Sequence, residues 1–283
     1  MIKSSKIAIG AALAGAFVLG ATVIAFSSAQ QSAPAEDMQS HSPAYTPAAN
    51  LDTAFSDLEE EDIRKIVRNY LMTNPEIIIE AVNAYSAREQ LRAETQANDV
   101  AAANLGALLD PATSYVTGKN PGKAKVAVVE MYDYHCGYCK RATPFIKDIV
   151  KKDADVKVVF RELPILHEES GYAAAVSLGA RDQSKFIELH FAMMDASGIL
   201  TKDRVAALAK KEGVDISKIE TRIEQPDISA AISGNHDIAA QMGVDGTPTF
   251  IVAAIDGSYV EVVSGFRPDE LKEKIAAAKK ASK

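Results

Sequence analysis

Two cysteines, Cys136 and Cys139, stand where an apolar run hands over to a helical pattern, and this placement limits the fold more than any other stretch. Val126 to Val129 are four consecutive β-favouring or small residues, suited to a buried strand. Beyond the pair, Phe145, Ile146, Ile149 and Val150 recur with helical spacing on one face. The cysteines are therefore expected at a strand-to-helix turn. The free N–H groups and dipole of a helix start stabilise an anion, and a thiolate is the anion at hand. Cys136 is expected to ionise more readily than a free cysteine. Cys139, one turn in, is placed to attack any mixed disulfide that Cys136 forms. This is the chemistry of thiol–disulfide exchange.

The chain has 2 cysteines in 283 residues, both in this motif, so no structural disulfide framework can form within one chain. With 47% hydrophobic residues it can bury an ordinary core without metals or staples, as one medium domain with a smaller appendage. The chain start bears on the compartment. Lys3 and Lys6 precede an uncharged apolar run from Ile7 to Phe26, followed by the small residues Ser27, Ser28 and Ala29. The pattern predicts a secretory signal over residues 1–29, cut after Ala29. An uncleaved anchor is the alternative, since the run approaches the ~20 residues that span a bilayer. Either way the remainder is exported, and in a bacterium that means the oxidising periplasm. Without residues 1–29 the chain holds 29 basic against 38 acidic residues, net −9. No basic patch of the kind that nucleic acid or an anionic membrane surface requires is present, which excludes those partners.

Residues 30–55, rich in Ala, Ser, Pro and Gln, read as a flexible tether. Ser56 or Asp57 then caps a helix with Glu59, Glu60 and Glu61 in its first turn and an apolar face of Ile63, Ile66, Val67, Tyr70 and Leu71. Asn74 is expected to cap a second helix, with Pro75 at its first position, running to about Leu109. The apolar stripe of Ile63–Tyr85 needs a partner surface. It packs either on the chain's own catalytic domain or on equivalent helices of other protomers; Arg88 and Arg92 break the heptad order of a regular coiled coil. Self-association is the favoured of the two, so residues 56–110 are expected to form an N-terminal helical oligomerisation region, with the globular part starting at residue 111.

There, strand Val126–Met131, helix Gly137–Asp153 with a kink at Pro144, and strand Val156–Glu162 require a parallel pair with a right-handed crossover. A helical stretch over about 168–243 follows. In it Thr201 caps a helix, Leu200 and Val205 form a staple, and Gly213 and Gly243 stop helices. Strands Thr249–Ala254 and Tyr259–Ser264 flank Asp256-Gly257, a hairpin signal, and Pro268 opens a final helix. The fold class is α/β, with the element order of a thioredoxin core that carries an inserted helical subdomain and an N-terminal helical extension.

The stretches Glu130–Cys139, Phe160-Arg161-Glu162-Leu163-Pro164-Ile165-Leu166 and Gly246-Thr247-Pro248-Thr249-Phe250 together resemble the DsbA-like thioredoxin family. Within it the likeness is to the suppressor-of-copper-sensitivity C (ScsC) type, whose helical extension Leu58–Val67 and Asn74–Ile79 resemble. The resemblance implies Cys136 as exposed nucleophile and Cys139 as buried resolving thiol. It implies Pro248 as a cis-proline facing them, with the Thr247 backbone open to a substrate peptide. It makes Glu130 the acidic residue beneath the site, either taking part in proton transfer or pairing with a lysine at the strand end. Gly137, Tyr138 and His135 fall at substrate-facing positions. A protonated His135 would favour the thiolate; the alternative is a merely exposed side chain. Asp133 and Arg161 match the family pattern with roles that are either functional or structural.

The resemblance thus implies a periplasmic thiol–disulfide oxidoreductase acting on unfolded or misoxidised exported proteins and served by a membrane redox partner. Its cofactor is none beyond the Cys136–Cys139 disulfide. Gly137-Tyr138 with Thr247 before Pro248 resembles the pairing of periplasmic isomerases, which favours an isomerase or reductase in a homo-oligomer, for instance a trimer. A monomeric dithiol oxidase is the alternative. So is a copper-tolerance protein holding Cu(I) at Cys136, Cys139 and His135, although a full zinc site has no second ligand pair.

Overall fold

A computed structural model describes residues 57–282. The expected signal over 1–29, the tether over 30–55 and the Ser56 cap lie outside them. Contacts divide the chain into units Met1–Val67 and Arg68–Lys283. Of the first unit, the described part is the opening of helix α1 (Asp57–Thr73), where Ile63, Ile66 and Val67 are exposed.

In the second unit α1 ends and α2 (Glu76–Ala103) begins across Asn74-Pro75, but the roles there differ from expectation. Pro75 occupies the N-cap, and the Asn74 side chain turns back to donate to the Tyr70 carbonyl at 2.9 Å, closing the end of α1 instead of opening α2. Tyr70, Met72, Ile78, Ile79, Val82 and Tyr85 are exposed. The first half of α2 therefore does not pack on the sheet domain, whereas its second half does.

The core is a five-stranded sheet of order β1-β3-β2-β4-β5. Its strands are β1 (Tyr115–Thr117), β2 (Val126–Tyr132), β3 (Val156–Glu162), β4 (Thr249–Ala254) and β5 (Val260–Ser264). β2 and β3 are parallel through the crossover helix α4 (Gly137–Lys152), as their short connection demands; the remaining pairings are antiparallel. Alternation divides β2 between two layers. Val126, Val128 and Tyr132 pack with α4 and the inserted helices, while Val129 and Met131 pack on the opposite face. Because both faces are covered, every residue of β2 and β4 is buried.

That opposite face is closed by α2 through Ala97 and Ala101, by α3 (Leu105–Leu108) through Leu108, and by α9 (Pro226–Gln241) through Ile238 and Ala239. A boundary at residues 110/111 would cut through this layer, so the sheet domain reaches back to Ala97. The insertion comprises α5 (Ser170–Gly179), a 3-10 turn (Ala180–Gln183), α6 (Phe186–Asp195), α7 (Lys202–Lys211), α8 (Ile216–Ile223) and α9. Thr201 sits at the N-cap of α7 without a side-chain cap bond, so position but not mechanism is as expected; Leu200 and Val205 are buried. Gly243, at φ 68°, ends α9 in a left-handed turn in which Val244 N–H reaches the Ala239 carbonyl at 2.8 Å, a geometry that favours glycine. α10 (Pro268–Ala281) completes the fold. Among the described residues no helix is long and apolar enough to cross a membrane.

Candidate active site

The turn from β2 into α4 makes Cys136 the N-cap of that helix, where its sulfur accepts the Cys139 N–H at 3.1 Å. This is the position that presents unpaired helix N–H groups to an anion. On the other side, Cys136 Sγ lies 3.1 Å from the Thr247 carbonyl, to which the thiol donates. The Thr247–Pro248 bond is cis. A hydrogen bond from the Cys139 thiol is the main influence on Cys136. Burial opposes it, the N–H groups of Cys139 and Tyr138 reinforce it, and the pKa falls from 9.0 to about 6. Cys139 is driven strongly the other way, first by burial, then by Cys136 and the nearby Glu130 carboxylate. The two sulfurs are thus an easily ionised thiol and a reluctant one.

Cys136 is not the exposed residue the sequence suggested. It is 3% exposed, because the Thr247–Pro248 turn lies over the sulfur; Cys139 is wholly buried. Tyr138, by contrast, is exposed and shares a cavity of about 470 Å³ with Thr247, Pro248 and Phe266. Arg141 stacks its guanidinium 3.8 Å from the centre of the Tyr138 ring. Gly137, the first residue of α4, has open space where a Cβ would stand.

Glu130 points to the α4 side of the sheet by the same alternation as Val128 and Tyr132. It is buried, and its pKa rises to about 8, through burial first and the charge of Cys136 second. In the unfolded chain this carboxyl would titrate near 4.5. Between those values the folded state holds a proton that the unfolded state has lost, so stability falls as pH rises from 4.5 through about 8. Glu130→Gln lacks this loss. In urea unfolding at several pH values it should gain on the wild type by at least ~1 kcal/mol from about pH 5 to pH 8. A difference that stays constant with pH would show that Glu130 does not titrate in this window.

His135 does not act as a charged neighbour of the thiol. Its ring is nearly covered, with 8% of the side chain exposed. Nε2 accepts the Leu200 N–H at 3.0 Å, so the proton sits on Nδ1, which reaches Ser170 Oγ at 2.8 Å. Burial is the main cause of a pKa below the ordinary 6.5, and the ring is neutral at pH 7. His135 therefore pins the turn to the inserted helices. With both nitrogens engaged it is also no third ligand for a copper ion at the cysteines. Among the described residues no group of three or more His, Cys, Asp or Glu side chains is placed to hold a metal.

The surroundings hold residues whose importance the sequence left undecided or unseen. Asp133 Oδ1 accepts from the His135 N–H and the Ser170 hydroxyl, while Oδ2 accepts from the N–H groups of Ile165 and Leu166 at 2.8 and 2.9 Å. It thereby fastens the loop after β3 to the cysteine turn. Lys140 donates to the carbonyls of Met193, Met194 and Ala196, closing the C-terminal end of α6. Beneath them, buried Glu162 accepts from Tyr132 and Tyr134, and the Tyr134 hydroxyl also meets Ser177 and His190 Nδ1. Burial drives Glu162 far above the carboxylate range and His190 down to about 3, so both are neutral.

A model of the DSBA-like thioredoxin domain matches residues 127–276, and one of the copper resistance protein ScsC N-terminal domain matches residues 59–90. A thioredoxin-like oxidoreductase from Silicibacter pomeroyi DSS-3 is 35% identical with a TM-score of 0.56, over 62% of this chain and 96% of that one. BcfH of Salmonella enterica Typhimurium is 27% identical with a TM-score of 0.66, over 78% of this chain and 96% of that one. Among curated relatives, the Na(+)/H(+) antiporter NhaA 1 of Salinispora arenicola is 30% identical over 146 residues, 51% of this chain and 22% of the antiporter. The chain thus spans about a fifth of the length of that relative.

Proposed function

This chain belongs to the DsbA-like thioredoxin domain family of thiol–disulfide oxidoreductases, and on that premise we propose that it is a periplasmic disulfide isomerase or reductase for exported proteins, working as a homo-oligomer. The observation that carries the reading is the placement of Cys136 Sγ, which takes the Cys139 N–H at 3.1 Å from the helix and faces the Thr247 carbonyl at 3.1 Å.

In this reading the Cys136 thiolate attacks one sulfur of a client disulfide, forming a mixed disulfide and releasing the other client sulfur as thiolate. In the isomerase direction, that released thiolate or another client thiolate attacks the mixed disulfide and frees Cys136 unchanged. In the reductase direction Cys139 gives up its proton and attacks Cys136 Sγ. The client leaves reduced, and Cys136–Cys139 becomes the disulfide that a membrane redox partner must reduce. Glu130, with a pKa near 8, is suited to hold or pass the Cys139 proton near neutral pH. Thr247 and Pro248, with Gly137 and Tyr138 opposite, are the client-facing residues; His135 serves by fixing the turn. Two soft sulfurs at this site would also suit Cu(I) when both are reduced.

Exposed Ile78, Ile79, Val82 and Tyr85 supply the surface for self-association. An isomerase gains from several thiols facing one client, so assembly and direction are linked. The double variant Ile78→Glu with Val82→Glu should have a monomer mass by light scattering. It should lose most of its activity on scrambled ribonuclease and keep insulin reduction within about twofold, the scale of a small barrier change. A variant that keeps its isomerase activity as a monomer would refute the link. A wild type that oxidises reduced ribonuclease but does not rearrange the scrambled form would refute the direction.

A further inference from the structure

We propose that the client groove continues past the redox centre into a cleft walled by α2, and that an extended polar client segment carrying a basic residue lies in it. This rests on the redox reading above and names the part of the client that the site reads. The cavity at Tyr138, Thr247 and Pro248 is joined to a second, of about 350 Å³, between the C-terminal half of α2 and β5. Gly243, Val244, Ser264 and Arg267 line both, so the two form one trough.

The edge of the sheet lies along it. Among the described residues β5 pairs only with β4, and its Val262 N–H points away from that strand to Asn98 Oδ1 of α2 at 2.7 Å. Asn98 also donates to Glu261, so α2 plugs the edge at this point. Two residues on, by the period of a strand, Ser264 presents its backbone the same way; it is exposed, at the junction of the two cavities. An open edge position next to a recognition groove is where an extended peptide adds through its main chain. From Gln90 to Asn98 the α2 wall runs ~12 Å at 1.5 Å per residue. That accommodates about three or four residues of extended chain.

The walls set the chemistry. Arg267 pairs with Glu270 at 2.9 Å, and Lys274 with Glu261 at 3.5 Å. Glu94, held by the Gln90 amide at 3.0 Å, lines the cleft. Polar walls with this carboxylate favour a segment bearing lysine or arginine.

The test compares rates of mixed-disulfide formation at Cys136 with three probes: glutathione disulfide, a short activated-disulfide peptide, and the same peptide with a lysine-bearing polar extension. Extensions are placed at either end in turn. The wild type should react about tenfold faster with one extended peptide than with the short one, a difference of ~1.4 kcal/mol. Ala93→Trp, which fills the cleft from an exposed position on α2, should remove that advantage and leave the other two rates unchanged. Glu94→Gln should reduce it, as should replacing the lysine of the peptide by glutamate. Equal rates for short and extended peptides, or an advantage that survives Ala93→Trp, would overturn the proposal. Failure to react with glutathione disulfide at all would instead remove the redox reading beneath it.

Discussion

Cys136→Ser is expected to lose disulfide reduction completely, by at least ~10³-fold in an insulin assay, equivalent to about 4 kcal/mol of barrier. The helix start lowers the pKa of a thiol, which a hydroxyl cannot exploit, because a serine oxygen stays protonated in this pH range. Cys139→Ser should behave differently. Its Cys136 still attacks, but nothing inside the protein resolves the product, so the variant accumulates client proteins bound through Cys136. These would appear as added mass that a reducing agent removes. The asymmetry follows from the two sulfurs' surroundings, one held at about 6 by hydrogen bonds and the other raised by burial. Serine is close to cysteine in volume, so both variants should stay folded. An active Cys136→Ser, or equal trapping by both variants, would remove the assignment of nucleophile and resolving thiol.

The second large effect concerns Arg161, whose side chain is buried in the layer formed by α3 and α9. Its guanidinium donates to Asn235 Oδ1 at 2.7 Å, to the carbonyls of Ala107 and Leu108 at 2.6 and 2.8 Å, and to Thr113 Oγ1 at 3.1 Å. One side chain thus closes the end of α3 and joins it to β3 and α9. Arg161→Ala leaves several buried acceptors without donors, each worth about 1–3 kcal/mol. The variant should lose about 4 kcal/mol in urea unfolding, in the range kept for broken buried networks. Arg161→Lys should recover little of it, since an ammonium cannot reproduce the planar fork. A loss below ~1 kcal/mol for the alanine variant would mean that these bonds are replaced by water.

The parts of the fold legible in the sequence are those whose cause is local. The Val126–Val129 run, the turn into α4 and the Asp256-Gly257 hairpin each carry their signal within a few residues. β1 left none, because three residues are too few for alternation to register. The catalytic core was placed too late in the chain for a related reason. Ala97 and Ala101 are buried by fitting closely under the sheet, and an alanine in a long helix reads the same buried or exposed. His135 fits neither reading that its place beside Cys136 offered, a charged neighbour or a merely exposed ring. Its state is decided by Ser170 and Leu200, 35 and 65 residues away. The Glu162 cluster was invisible for the same reason, since its members come from β2, β3, α5 and α6. Cys136 and Cys139 were legible because the chemistry of a helix N-cap needs no distant residue.

Titrating the Cys136 thiol tests the account most directly, by following thiolate ultraviolet absorbance against pH in the reduced protein, with Cys136→Ser as blank. A transition near pH 6 is predicted, from the bonds that Cys139 and the helix N–H groups direct at the sulfur. A transition near the ordinary 9 would contradict it, since the helix start would then confer no advantage on the thiolate.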